Sequence, residues 1–230
     1  MTTSRFGRLD QLYSRIHADS CASLVDDGER PDPFLRNPAS DTRFGVTLLI
    51  EPDRAVAERM CAIGNEIGSI EPGQYHYPAA DLHVTVLDLI GAHETFRRDE
   101  AQIETFRSIV TAAANDLAPF ELLFGGIILS PTGVLAKGYY RDGLHTLRDR
   151  LRRISRKNNA DLQERYQSIS AHVSLMRFSS LLEDRSRLLR FIEKNAECTI
   201  GRMTVSTLTL VIHDWYNRRK EILGRFELAS

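Results

Sequence analysis

Two short stretches, LHVTV at residues 82 to 86 and AHVSL at 171 to 175, repeat one pattern: apolar, histidine, apolar, threonine or serine, apolar. In an extended strand successive side chains point to opposite faces. His83 and Thr85 therefore share one face, and Leu82, Val84 and Val86 the other. His172 and Ser174 stand in the same relation to Ala171, Val173 and Leu175. A chain with both stretches needs a core for each apolar face and an accessible surface for each polar one. A single histidine on a strand is more often a satisfied or half-exposed residue than a catalyst. By composition a given histidine fits the five-residue pattern about once in a hundred. Two of the seven histidines fit it, so the repetition argues for a shared role.

The rest of the chain sets these strands in an α+β frame. Residues 4 to 28 carry Phe6, Leu9, Leu12, Ile16 and Leu24 at helical spacing, and Gly28 ends the helix. The proline-rich ERPDPFLRNPAS follows, so residues 1–41 read as a helical extension and linker laid on a body of residues 42–230. In the body, a strand with Phe44, Val46, Leu48 and Ile50 precedes a helix opened by Pro52 and carrying Val56, Met60, Ile63 and Ile67. Strand 81–90, helix 96–116, two strands joined at SPTG and a basic helix over 142–158 come next. SAHVSLMRF reads as a strand, the run from Ser179 to Lys194 as a helix capped by Ser179 or Ser180, and residues 202–212 and 220–228 as two final strands. Helices interleaved with short, partly polar strands predict mainly antiparallel sheets rather than a doubly wound parallel one.

Composition excludes several classes. A formal charge of -1 gives no global attraction to polyanions or membranes. The three cysteines, Cys21, Cys61 and Cys198, lack the close pairs of zinc or redox motifs. No glycine-rich phosphate loop, nucleophile elbow or HExxH occurs. No run approaches a membrane span and the N-terminus lacks an apolar signal core, so a cytoplasmic protein is expected. A monomer without metal or cofactor is expected as well.

Two imidazoles, each beside a hydroxyl, suit in-line displacement at a phosphodiester. One accepts a proton from the attacking water or hydroxyl, the other protonates the leaving ribose oxygen, and Thr85 and Ser174 hold the non-bridging oxygens.

With these motifs the sequence resembles the 2H phosphoesterases, named for two H-x-(T/S) motifs, whose members include bacterial 2′-5′ RNA ligases and RNA 2′,3′-cyclic phosphodiesterases. The resemblance covers about residues 42 to 230, including the strand pair and helix of PFELLFGGIILSPTGVLAKGYYRDGLHTLRDRLR and the closing STLTLVIHDWYNRRKEILGRFEL. It implies a bilobal fold of two related antiparallel sheets with outer helices and a central cleft. It also implies catalysis by His83, Thr85, His172 and Ser174, with His172 favoured as base, on a 2′,3′-cyclic phosphate or 2′-5′ linkage of a nucleotide or RNA end. The alternative is a non-catalytic module that binds a nucleotide or RNA phosphate, and a third reading keeps both histidines as separate structural residues.

Further candidates surround the motifs. Tyr75 and Tyr77, flanking His76, precede the first, where a ring could stack on a base. Lys137, Tyr139 and Tyr140 end a strand that the resemblance places near the cleft rim, although a solvated strand end is the plainer reading. Tyr216, in HDWYNRRK, has the setting of a nucleotide contact, although a polar hairpin turn gives the same letters. Strict alternation places Arg177 on the face opposite His172, as a surface ion-pair residue first and a phosphate contact second. The basic helix reads as core packing with a solvated face.

Overall fold

The computed structural model describes residues 5–164 and 167–229. Helix α1 (Arg5–Asp26) buries Leu9, Tyr13 and Leu24 along one face, and Gly28 follows at φ +79, a conformation that suits glycine. The one-turn α2 (Pro33–Arg36), capped by Asp32, leads through the connector to β1 (Phe44–Ile50). Asp53 caps α3 (Arg54–Gly68) by accepting the N–H of Val56. The short β2 (Tyr75–His76) and a 3₁₀ turn at Ala79–Asp81 lead to β3 (Val84–His93). The chain continues as α4 (Glu100–Ala114), β4 (Phe120–Ser130), β5 (Gly133–Tyr139), α5 (Gly143–Lys157), β6 (Val173–Arg177), α6 (Arg185–Lys194), β7 (Thr199–Val205), β8 (Thr207–Asp214) and β9 (Lys220–Glu227).

The strands form two antiparallel sheets, in the orders β3-β1-β8-β9 and β2-β6-β5-β4-β7. Helix α4 packs on β9 and α5 on β3 of the first sheet, while α1, α3 and α6 pack on the second. One continuous apolar core joins them. β1 lies between two partners and is buried almost throughout, so its apolar run serves both of its faces. No described helix is long and apolar enough to cross a membrane.

Three element boundaries differ from the sequence reading. The helix expected from residue 96 begins at Glu100, because Asp99 accepts the N–H groups of Ala101 and Gln102. Ser179 and Ser180 do not cap α6: their backbone N–H groups go to Gln74 Oε1, and Asp184 caps the helix instead. The single strand expected over 202–212 is two. The chain leaves the second sheet after Val205, which pairs with Phe120, and enters the first at Thr207, which pairs with Glu227. Ser206, between them, accepts a hydrogen bond from Leu228 N.

Helix α1 is tied to the second sheet by polar groups as well as apolar ones. The buried Tyr13 hydroxyl accepts the N–H of Gly138 and of Ala171, at 3.2 and 3.1 Å, and donates to Gly138 O at 2.8 Å. The β5–β6 ladder ends at the Ala136–Val173 pair, so the tyrosine replaces the next rung with its own oxygen. The chains are close there: a Cβ on Gly138 would stand 1.9 Å from Ala171 O. His17 accepts the N–H of Leu129 on β4 at 3.2 Å. The end of β5 is accordingly covered rather than solvated, with Tyr139 bonded to Asp10 and Lys137 buried against Glu197.

Candidate active site

A cleft of about 170 Å³ is lined by His83, Thr85, His172 and Ser174, together with Thr47, Tyr77, Asp88, Arg148, Arg177, His213 and Trp215. This is below the roughly 300–1,000 Å³ of a drug-sized site, so the cleft has room for a small group rather than a large ligand.

Bulges decide which side chains reach the cleft. On β3, Thr85 pairs with Leu49 but Leu87 with Leu48, leaving Val86 as an extra residue. Val86 and Leu87 are both buried, and Asp88, not Leu87, returns to the cleft face. β6 repeats the device: Ser174 pairs with Leu135 and Met176 with Val134, leaving Leu175 extra. Leu175 and Met176 both enter the core, and Arg177 turns into the cleft. The expectation that Arg177 lies opposite His172 is thereby corrected, since one extra residue reverses the alternation. Arg177 donates from Nε to the Tyr77 hydroxyl at 2.8 Å and from Nη1 to Thr132 Oγ1 at 3.2 Å, with no carboxylate in ion-pair range among the described residues. Each half of the cleft thus presents histidine, hydroxyl and charged group at positions i, i+2 and i+5.

Each motif histidine is oriented from two positions earlier. His83 Nδ1 lies 2.8 Å from Asp81 O, an acceptor only, so this nitrogen carries the proton and Nε2 faces the cleft. Asn217 Nδ2 donates to the same carbonyl at 3.2 Å. His172 Nδ1 lies 2.8 Å from Ser170 Oγ, again leaving Nε2. Burial lowers the pKa of each to about 4. For His83 the Asp81 carbonyl opposes the fall and Lys220 and Arg177 deepen it, whereas for His172 every influence is depressing, from burial through Arg177 and His83 to Arg148.

Arg148 joins the two halves. This α5 residue is 1% exposed. It donates from Nε to Val86 O at 2.8 Å and from Nη2 to Thr85 O and Ser170 O at 2.8 and 2.7 Å. The chain before His172 is held residue by residue: Ile169 O by the Tyr140 hydroxyl, Ser170 O by Arg148 and Ala171 N by Tyr13.

Of the tyrosines proposed as substrate contacts, Tyr77 lines the cleft and the others stand behind its walls. Tyr75 packs on Tyr77 and Tyr216 with ring centroids 5.0 and 5.8 Å apart. Tyr140 is buried with its hydroxyl on Ile169 O, and Tyr216 is buried with its hydroxyl accepting from Arg43 at 2.8 Å. Trp215, the neighbour of Tyr216, reaches the cleft instead. His76 bonds Glu71 O. Sequence reasoning missed Asp88, Arg148, His213 and Trp215. For Asp88 the signal is its match with Arg177, each three positions after the hydroxyl. Arg148 sits in a basic run that gives no cue, whereas His213 and Trp215 lie in HDWYNRRK, the stretch singled out for Tyr216. No three His, Cys, Asp or Glu residues among those described form a metal-binding group.

No protein-family model and no curated protein matches the sequence. Solved structures do. TT0787 of Thermus thermophilus matches with a TM-score of 0.62 at 17% identity, over 81% of this chain and 97% of its own. Apo E. coli LigT matches with 0.57 at 14% identity, over 83% and 100%. ATU0111 of Agrobacterium tumefaciens, a conserved protein of unknown function, matches with 0.56 at 14% identity, over 90% and 97%. LigT also appears in complexes with 3′-AMP, ATP, NADP+ and phosphate, and another match is a phosphoesterase. At such identities the likeness establishes the fold: the chain has the two-sheet α+β fold of LigT.

Proposed function

We propose that the cleft hydrolyses a 2′,3′-cyclic phosphate or 2′-5′ linkage of a nucleotide or RNA end, by acid-base catalysis between His83 and His172. The observation that carries this reading is the convergence of both H-x-(T/S) motifs on one cleft, each with its Nε2 inward and its Nδ1 engaged. The fold shared with a phosphoesterase and with LigT, which binds 3′-AMP and phosphate, agrees with it.

The electrostatic surroundings support one division of roles. Asp81 O stabilises a proton on the His83 ring, so His83 is the acid. Arg177 and Arg148 depress the imidazolium of His172 without an opposing acceptor, so His172 is the base. His172 Nε2 takes a proton from water, whose oxygen bonds to phosphorus, and the departing ester oxygen takes the proton of His83 Nε2. Thr85 and Ser174 donate to the non-bridging oxygens, and Arg177 offsets their charge. The substrate anion between the rings raises both depressed pKa values toward the working range.

The test is turnover of 2′,3′-cyclic nucleotides and 2′-5′-linked dinucleotides. His83→Ala and His172→Ala should each lose about 10²- to 10⁴-fold in rate while remaining folded. Full activity in the double variant would end the proposal. The low pKa values also favour a second reading, an anion-binding module, because two neutral imidazoles have no proton ready to donate. Binding without product from pH 5 to 8 would select it.

A further inference from the structure

The cleft holds a third imidazole that this reaction leaves idle. His213, on β8, is 7% exposed and lines the cleft. Its ring stands edge-on to that of His83, with centroids 6.0 Å apart. Its Nδ1 is buried without a hydrogen-bond partner among the described residues. Nε2 is therefore the nitrogen it offers to the cleft, as in His83, whose Nδ1 is held by Asp81 O. Two adjacent imidazoles thus present the same ring nitrogen to one space.

Their protonation differs. Burial, with His83 and Lys220 adding to it, lowers the His213 pKa to about 3, below the value of about 4 for His83, so His213 is the harder of the two rings to charge. A stranded buried N–H is rarer and costlier than an under-used acceptor, so the single proton belongs on Nε2. His213 is then an uncharged donor beside an acid. The under-used Nδ1 acceptor adds nothing to the fold, so no hydrogen bond at that atom explains the ring.

A cyclic phosphate presents two neighbouring ribose oxygens, O2′ and O3′, either of which can leave. A lone acid distinguishes them poorly. We propose that His213 is a specificity-determining residue that donates Nε2–H to the ribose oxygen next to the leaving one, aligning His83 with a single P–O bond so that one monoester isomer is released. The assignment rests on the phosphodiesterase reading. Water supplies the new oxygen on phosphorus, one P–O bond breaks, and the proton passes from water to His172 and from His83 to the leaving oxygen. His213 keeps its proton throughout.

The experiment follows adenosine 2′,3′-cyclic phosphate by ³¹P NMR with wild type, His213→Phe, His213→Leu and His213→Gln, and measures affinities for 2′-AMP and 3′-AMP by calorimetry. Wild type should release one isomer and prefer one monoester by about tenfold. The apolar variants should release both isomers and lose the preference, while melting no lower than wild type. Glutamine, whose amide nitrogen reaches the Nε2 position, should restore selectivity. An unchanged isomer ratio and preference in whichever apolar variant folds would overturn the assignment, as would a wild type that releases both isomers. A wild type that discriminates the monoesters through His213 yet hydrolyses no cyclic phosphate would keep the assignment and end the phosphodiesterase reading. One that binds neither monoester and hydrolyses no cyclic phosphate would end both.

Discussion

Replacing Arg148 by methionine tests whether one buried guanidinium holds both halves of the cleft in register. Methionine keeps much of the length and apolar body of the side chain and removes its donors. Val86 O, Thr85 O and Ser170 O, bonded at 2.8, 2.8 and 2.7 Å, each lose their arginine partner. A buried acceptor left unmade costs about 1–3 kcal/mol. Against that total stands relief from burying a cation, whose pKa the interior already lowers. The net expectation is a loss of about 2–4 kcal/mol, or roughly 4–16 °C in Tm for a chain of this size. The motif segments should also drift apart, and a displacement of about 1 Å at the reacting groups costs on the order of 10²-fold in kcat. Arg148→Lys keeps the charge but lacks the planar fork that reaches three carbonyls, so it should not recover kcat. Urea denaturation and steady-state kinetics on the same preparations give both readouts. An Arg148→Met protein within about 1 kcal/mol of wild type and with unchanged kcat would refute the reasoning.

Two further expectations concern the groups around His172. Tyr13→Phe keeps the ring but strips the partner of Gly138 N and Ala171 N, so a loss of about 2–4 kcal/mol and faster amide exchange at Ala171 are expected. Unchanged exchange there would show that α1 does not brace the histidine. Acid should weaken the fold before carboxylates dominate, because His83 and His172 titrate near 4 and His213 near 3 in the folded protein against about 6.5 when unfolded. The unfolded chain binds these protons first, so stability is full above pH 6.5 and falls as pH drops toward 4. Urea midpoints that stay flat from pH 7 to 4.5 would contradict the burial of these rings.

The order of helices and strands, the antiparallel architecture and the two motifs are legible in the sequence because they rest on local periodicity. What was not legible depends on partners far along the chain. The residue counts that place Asp88 and Arg177 in the cleft come from pairing with β1 and β5, and strict alternation reads both positions wrongly. Ser179 and Ser180 look like caps until Gln74, about a hundred positions earlier, captures their N–H groups. In the run from 202 to 212 the apolar residues shift from odd to even positions at the adjacent polar pair Ser206 and Thr207, but only the pairing partners show that this shift is a passage from a sheet edge to a strand buried on both faces. Tyr216 and Trp215 are adjacent in sequence, and only the turn between β8 and β9 decides which of them meets the cleft.

The position of β1 has a consequence for how the protein is made. It emerges from the ribosome well before β8, but its place between β3 and β8 pairs Phe44 with Asp214 and Leu49 with Thr209. Until β8 has been synthesised, one edge of an almost wholly apolar strand stays unpaired while the elements between β1 and β8 are added. The first sheet therefore closes only once β8 has been made. During that interval the nascent chain exposes a segment suited to mispairing, and chaperone protection would matter most there.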